Sequence, residues 1–223
     1  MKKFFFITCF IFLSFILVAC TDSEKALTMA LNEENFLNYK MVLKMQSTIN
    51  DKQINEITST LYVQDDFLYN TVTGSLINSE TYIFKYNDKK YYVTKVNNGS
   101  YTVTEITSLS QEDTFKKSIG VLPDFNPTDF EKGKDGYYYI KEEKLSSYND
   151  FLTTNLTIFG VTIFQIDDTY FKIALKRKKV SEILYGFKLT FFGQNLSFAS
   201  SIVLDSYGKV KIEVPKEILD LVS

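Results

Sequence analysis

The fold class of this chain is decided by residues 39–46, which read YKMVLKMQ. Apolar side chains occupy every second position of this stretch, and lysines or a glutamine occupy most of the positions between them. Successive side chains of a β-strand point to opposite faces of the sheet, so a period of two indicates a strand. The stretch therefore predicts a strand with one buried face and one wetter face.

The same alternation recurs along most of the chain. It appears in residues 57–63, 67–71, 82–86, 91–95, 101–103, 171–175, 183–191, 198–204 and 210–214. Turn signals separate several of these runs, at Asp65-Asp66, Asn87-Asp88 and Asn97-Asn98-Gly99. The last is the strongest hairpin signal, because Asn-Gly readily supplies the positive φ angles of a type I′ turn. With an apolar, β-branched run at residues 156–166, the sequence predicts about ten strands.

Helix signals are few. Residues 23–34 have apolar side chains at three- and four-residue spacing, and Ser23 is a candidate cap. A second helix is predicted from Ser110, its candidate cap, to a point just before Gly120. Residues 146–151 could open a third, short helix, and two prolines make the stretch after Gly120 a crossing loop.

The fold class expected from this order is mainly β, within the α+β class. A large antiparallel sheet with so few helices must curl or fold over to bury its apolar face. We expect one large curved sheet, a half-barrel, with the N-terminal helix and one or two short helices packed on it. A two-sheet sandwich would give much the same pattern. We find neither a sequence repeat nor a linker that would divide the chain.

The N-terminus has the organisation of an export signal. Basic Lys2 and Lys3 precede an apolar run from Phe4 to Ala19. As a helix this run would span about 24 Å, which is short of the roughly 30 Å hydrocarbon core of a bilayer. A cleavable signal peptide over residues 1–19 is therefore expected in preference to a permanent membrane span.

The apolar run ends in a motif that resembles the bacterial lipobox, namely Leu17-Val18-Ala19-Cys20. The resemblance implies that these four residues are recognised by the processing machinery, that Cys20 is acylated, and that the chain is cut before Cys20. Several acyl chains on one cysteine would hold a protein on a membrane. The alternative is a chance cysteine at the end of a signal peptide or membrane anchor. We expect residues 20–223 to form a single lipid-anchored, extracytoplasmic domain.

Together, the lipobox and the order of strands and helices resemble those of periplasmic lipoprotein carriers such as LolA, LolB and the mycobacterial LppX group. This resemblance implies one strongly curved sheet, a half-open barrel whose mouth is plugged by helices over an apolar cavity. Because the resemblance rests on element order, it assigns no ligand-binding residue.

The composition excludes several kinds of chemistry. The chain contains no histidine, so it has no Ser-His or Cys-His nucleophile pair and no histidine-ligated metal site. Without residues 1–19 the formal charge would be −4, which argues against a nucleic-acid partner. Cys9 would leave with the signal, so the exported domain would contain no disulfide. The expected cofactors, metals and catalytic residues are therefore none.

Two further charged features have ordinary interpretations. Neighbouring carboxylates occur at Glu33-Glu34, Asp65-Asp66, Glu142-Glu143 and Asp167-Asp168. On a strand such neighbours point to opposite faces, so each pair is predicted to lie in a solvated turn. The basic run 176–179 is predicted to be a hairpin tip, although it could also contact anionic headgroups.

The sequence thus favours a non-enzymatic, membrane-anchored lipoprotein whose sheet binds an apolar or amphipathic ligand such as a lipid. One alternative is a lipoprotein with a filled core that engages a protein partner through its surface. A hydrolase that uses carboxylates alone is the third hypothesis. Removal of the signal leaves 14 phenylalanines and 15 tyrosines, which could line a cavity or simply supply core volume.

Overall fold

A computed structural model describes residues 23–118, 120–122, 124–148, 168–191 and 193–223 of the chain. The predicted signal peptide, the lipobox with Cys20 and the predicted strand at 156–166 lie outside these residues. The strands are β1 (Asn38–Ile49), β2 (Lys52–Gln64), β3 (Phe67–Gly74), β4 (Asn78–Tyr86), β5 (Lys89–Val96), β6 (Thr102–Ile106), β7 (Phe130–Lys132), β8 (Tyr138–Ile140), β9 (Asp168–Lys176), β10 (Lys179–Phe191) and β11 (Gln194–Asp205).

These strands form a single open, curved antiparallel sheet in the order β6-β5-β4-β3-β2-β1-β11-β10-β9-β8-β7. Strands β1 to β6 form a meander that runs outward from the centre. Strands β7 to β11 return to the centre, where β11 pairs with β1 in a long register that includes Leu43 opposite Ile202. The predicted mainly-β curved sheet is confirmed, and the two-sheet sandwich is wrong.

In three of the hairpins that close with two-residue turns, the turn is left-handed at both positions. Both turn residues have positive φ angles in Asn50-Asp51, Asn87-Asp88 and Arg177-Lys178, as a type I′ turn requires. The basic run 176–179 is therefore the hairpin tip between β9 and β10, as predicted. Asn and Asp tolerate this conformation better than most residues, which explains the first two turns.

Two strand predictions are wrong in detail. At the Asn97-Asn98-Gly99 signal the strands are five residues apart, and Asn97 rather than Gly99 has a positive φ angle. A longer loop does not need the two left-handed residues of a type I′ turn. Residues 210–214 alternate in hydropathy but form no strand. Side chains hold this segment instead, because Asn38 bonds both backbone groups of Val210 and Gln64 accepts from Ile212.

The N-terminal helix is shorter than predicted, and the middle helix begins earlier. The described part of the N-terminal helix covers 23–30, and a separate 3₁₀ turn, Glu33–Phe36, follows it. The middle helix is Leu109–Ser118, and Ser108 rather than Ser110 caps it by accepting a hydrogen bond from Gln111. The other short helices among the described residues are the 3₁₀ turns Pro127–Asp129 and Glu142–Tyr148 and the C-terminal helix Lys216–Leu219.

The inner face of the sheet, as we name it here, bears the larger apolar cluster. From β1 and β2 it includes Met41 and Leu61, and Leu27 and Ala30 of the N-terminal helix pack against the cluster. The predicted packing of this helix on the sheet is thus correct. Farther along the face, an aromatic group fills the space over β9 and β10; it consists of Phe125, Phe130, Tyr148, Phe171 and Tyr185.

The outer face of β3 to β5 bears a second apolar cluster. Tyr82, Phe84, Tyr91 and Val93 belong to it, and the C-terminal helix covers them with the fully buried Ile218. Ile83, which lies between Tyr82 and Phe84 on β4, belongs to the inner cluster. Adjacent residues of this strand therefore lie on opposite faces of the sheet. Each face of the sheet therefore bears an apolar cluster, and different segments of the chain cover the two clusters.

Candidate functional site

A cleft of about 620 Å³ opens at one end of the inner face, where β1 begins and β2 turns into β3. Four segments surround it. They are the end of the N-terminal helix with the 33–36 turn, the β2–β3 turn, the end of the middle helix, and residues 121, 122, 124 and 125. Because these segments are far apart in sequence, the cleft exists only in the folded chain.

Most of the cleft wall is apolar. Of the fourteen described residues that line it, nine have apolar or aromatic side chains: Leu31, Phe36, Leu37, Tyr39, Val63, Leu68, Val121, Leu122 and Phe125. Leu68 and Phe125 also belong to the inner cluster, so the floor of the cleft is continuous with the core. A wall of this kind favours an apolar molecule or the apolar part of a larger one.

The other five residues of the wall are charged, and we call them the rim: Glu33, Asp65, Asp66, Lys116 and Asp124. Asp65 and Asp66 form the β2–β3 turn, as the sequence predicts, and Asp65 has a positive φ angle. What the sequence does not reveal is that this turn faces a cleft. The apolar residues opposite it, such as Leu122, lie more than fifty positions away.

The lysines near the rim are already paired with carboxylates. Lys116 lies 2.7 Å from Glu112, and Lys90 lies 2.7 Å from Glu112 and 3.4 Å from Asp66. Partial burial raises the pKa of Glu112, but hydrogen bonds from the two lysines outweigh burial and hold the pKa below its usual value. Glu112 therefore fixes both ammonium groups beside the cleft.

Tyr39 is the most deeply buried polar residue of the wall. Its side chain is 1% exposed, and burial raises the pKa of its hydroxyl far above the ordinary value. The ring packs edge-on against Phe36 at 5.8 Å and stacks with Tyr207 at 6.3 Å between centroids. Among the residues described, none forms a hydrogen bond with the Tyr39 hydroxyl.

A second group of polar side chains lies on the outer face. The Glu80 carboxylate accepts hydrogen bonds from the hydroxyls of Tyr82 at 2.6 Å, Tyr101 at 2.8 Å and Tyr69 at 3.1 Å. Burial raises the pKa of Glu80, but these hydrogen bonds together lower it below the usual value. The Tyr101 hydroxyl, partly buried and bound to a carboxylate, has its pKa raised to about 12.

The aromatic rings of this outer group also form a stack across the strands. Tyr62 stacks on Tyr69 at 5.8 Å between centroids, Tyr69 stacks on Tyr82 at 4.7 Å, and the Lys40 ammonium lies over the Tyr62 ring. Alternation along β5 also places Tyr91 in the outer cluster and Tyr92 against the inner one.

Two kinds of feature are missing from the described part of the chain. Three or more carboxylates or cysteines do not come together there in a group that could hold a metal ion. No helix there has the length and apolar composition needed to cross a membrane. The rim carboxylates are thus spread around the cleft and do not converge on one point.

Comparison with known proteins finds a likeness among solved structures. No family model matches the chain, and no curated protein matches it either. Among solved structures, it is similar to a DUF1329 family protein from Desulfovibrio piger, at 7% sequence identity and a TM-score of 0.33. The superposition covers 87% of this chain and 95% of that protein.

Proposed function

We propose that this protein is a non-enzymatic, membrane-anchored lipoprotein whose cleft binds an apolar or amphipathic ligand. The observation that carries the proposal is the cleft of about 620 Å³ with nine apolar wall residues. Ligand sites in proteins have volumes of roughly 300–1,000 Å³ and are mostly apolar with a few polar groups. An apolar floor beneath a charged rim matches a molecule with an apolar chain and a polar head.

Binding at the cleft can be tested directly because the chain contains no tryptophan. Leu122→Trp places a single indole in the cleft wall. Leu76→Trp, at a residue that is 82% exposed in the β3–β4 connection, is the matched control. On addition of octyl glucoside below its micelle concentration, we expect a saturable blue shift of the indole emission in the Leu122→Trp variant and none in the control. Equal responses of the two variants would contradict binding at the cleft.

The anchor is proposed from the sequence motif. Recognition of Leu17-Val18-Ala19-Cys20, cleavage after residue 19 and acylation of Cys20 would place the protein at the extracytoplasmic side of a bacterial membrane. Metabolic labelling with a palmitate analogue tests this. Cys20→Ala should abolish both the label and the cleavage, while Cys9→Ala should retain both. Labelling that survives Cys20→Ala would exclude the motif as a lipobox.

The tyrosine stack on the outer face favours a second candidate function, namely binding of a protein partner. Tyr62 and Tyr69 lie partly exposed on this face, and tyrosine is enriched at protein interfaces. A photo-crosslinking amino acid at position 62, used in intact cells, should give a defined adduct that Tyr69→Ser weakens. If the same adduct forms from exposed position 54, at the start of β2, the tyrosine face is not a specific interface.

A further inference from the structure

The charges around the cleft do not balance. Lys90 and Lys116 are offset by Glu112 and Asp66, to which they are bound at 2.7–3.4 Å. This leaves Glu33, Asp65 and Asp124 on the rim, and none of the three forms an ion pair with any residue that the structure describes. The opening of an otherwise apolar cleft therefore has three uncompensated negative charges.

A small metal ion does not explain this charge. Metal sites require several ligands at short distances around one point, and the described carboxylates form no such group. Charges that are distributed around an apolar opening instead suit a larger organic cation whose apolar part lies in the cleft. Phe36, a partly buried aromatic residue of the wall, favours the same chemistry, since aromatic ring faces attract ammonium groups.

We infer that the cleft selects amphipathic molecules with a cationic, ammonium-type head group and disfavours those with an anionic head. This inference rests on the proposed function and specifies the class of its ligand. The apolar chain would contact the floor near Leu68 and Leu122, and the ammonium would lie among Glu33, Asp65 and Asp124. An anionic head in the same place would meet three like charges.

Two rim charges can be removed without disturbing the backbone. Asp65 has a φ angle of 51°, and asparagine tolerates this left-handed conformation as well as aspartate does. Asp124 lies exposed in the crossing loop. The test variant is therefore Asp65→Asn with Asp124→Asn. Asp51→Asn is the matched control, because Asp51 also has a positive φ angle, 63°, but lies in the turn at the opposite end of β1 and β2.

The experiment uses the full chain with Leu122→Trp, held in phosphatidylcholine vesicles, which contribute no tryptophan fluorescence. Octyltrimethylammonium, octyl glucoside and octyl sulfate are titrated separately, and the free concentration of each is measured in the supernatant. Full-chain Leu76→Trp in the same vesicles corrects for effects of the probe on the membrane. The three probes have the same apolar chain, so differences in Kd report the head group.

We expect the ammonium probe to bind more tightly than octyl glucoside by about tenfold and octyl sulfate to bind most weakly. One carboxylate about 4 Å from the ammonium changes the Kd by about fivefold in water, and the more distant carboxylates contribute less. The Asp65→Asn, Asp124→Asn variant should lose most of the ammonium preference and keep its Kd for octyl glucoside. Asp51→Asn should behave like the parent.

The outcomes separate the two proposals. Equal Kd values for all three probes, or a preference for octyl sulfate, would overturn the head-group inference and leave the proposed function standing. An ammonium preference that the double variant retains would also overturn it. Failure of every probe to shift the indole emission of the Leu122→Trp chain would instead refute ligand binding at the cleft itself.

Discussion

The two faces of the sheet are covered in different ways. On the inner face, the N-terminal helix and residues 121, 122 and 125 pack through apolar side chains and leave a cleft of about 620 Å³ between them. On the outer face, Ile218 of the C-terminal helix packs on a cluster beside which three tyrosine hydroxyls are bound to Glu80. Apolar contacts are non-directional, whereas hydrogen bonds fix their partners in place.

This contrast indicates which face is suited to bind a molecule. When a ligand enters an apolar wall without directional bonds, the wall loses only non-directional contacts between its side chains. Contacts with the ligand then replace them. To admit a ligand, the outer tyrosines would have to break their hydrogen bonds to the charged carboxylate of Glu80. Hydrogen bonds to a charged group are stronger than those between neutral groups. We therefore expect the inner face to carry the ligand and the outer face to hold the C-terminal segment.

The largest expected effect is on the inner aromatic group. Phe171 is 1% exposed and contacts the rings of Phe125, Phe130, Tyr148 and Tyr185. Phe171→Ala should lower the free energy of unfolding by about 3–5 kcal/mol, because it removes a buried ring and leaves a cavity. Urea denaturation followed by circular dichroism measures this loss of stability. Tyr170→Ala, at the neighbouring residue on the other face, should lower the free energy of unfolding far less. Equal losses in the two variants would contradict the assignment of faces.

The second prediction concerns the cover of the outer face. Ile218 is fully buried, and Ile218→Ala should lower the free energy of unfolding by about 2 kcal/mol. The loss is no larger because the short terminal helix can detach before the sheet unfolds. Hydrogen exchange should then accelerate in residues 216–223, while exchange in β1 and β11 stays slow. Leu221→Ala, at a 46% exposed residue, is the control. Faster exchange throughout the sheet would show that the two faces do not unfold separately.

The third prediction concerns the carboxylate that anchors the outer tyrosines. Glu80→Gln should lower the free energy of unfolding by about 1 kcal/mol, because an amide accepts hydrogen bonds less strongly than a carboxylate. The pKa of Glu80 is lower in the folded chain than its ordinary 4.5, so its stabilising contribution is present above pH 4.5 and is lost as the pH falls through the folded value. Denaturation curves at several pH values should therefore show the parent and the variant converging in acid.

A matched carboxylate controls for general charge effects. Glu105 also lies on the outer face, 2.9 Å from the exposed Lys89, and such a surface pair contributes well under about 1 kcal/mol. Glu105→Gln should change stability less than Glu80→Gln does at neutral pH. If the two variants behave alike, the tyrosine hydrogen bonds do not stabilise the folded chain.

The smallest effect is expected at Ser47 on the inner face. Its side chain is 1% exposed, and its hydroxyl has no hydrogen-bond partner among the residues described. Ser47→Ala should therefore raise the free energy of unfolding, by up to about 1 kcal/mol. Ser59→Ala on the same face should lower it, because the Ser59 hydroxyl donates to Asn70 at 2.8 Å. Melting temperatures that move in the same direction would contradict this difference.

The sequence predicts the local parts of the fold well. Alternating stretches such as 39–46 identify their strands because a half-buried strand must alternate, and Asn87-Asp88 identifies its turn because both residues tolerate positive φ angles. Strands β7 and β8 are three residues long, too short for an alternation to be recognised. The pairing of β1 with β11 joins residues about 150 positions apart, and no local pattern reports it.

The cleft could not be predicted for a related reason. Asp65 and Asp66 have the appearance of an ordinary acidic turn, and the turn is where the sequence predicts it. Its role depends on the approach of Leu31 and Leu122 from other segments, which is a property of tertiary packing. The absence of histidine and the N-terminal motif, by contrast, are visible in the sequence alone. Together they favour the hypothesis of a binding protein.

Native mass spectrometry of the full chain, purified from the cells that make it, tests most directly whether the cleft holds a ligand. We predict a fraction of molecules with an additional noncovalent mass of an amphipathic compound, lost on collisional activation and reduced in a variant whose cleft is narrowed by Val121→Trp. A protein that carries no such mass, and whose Leu122→Trp emission also fails to respond to octyl glucoside, would contradict the account.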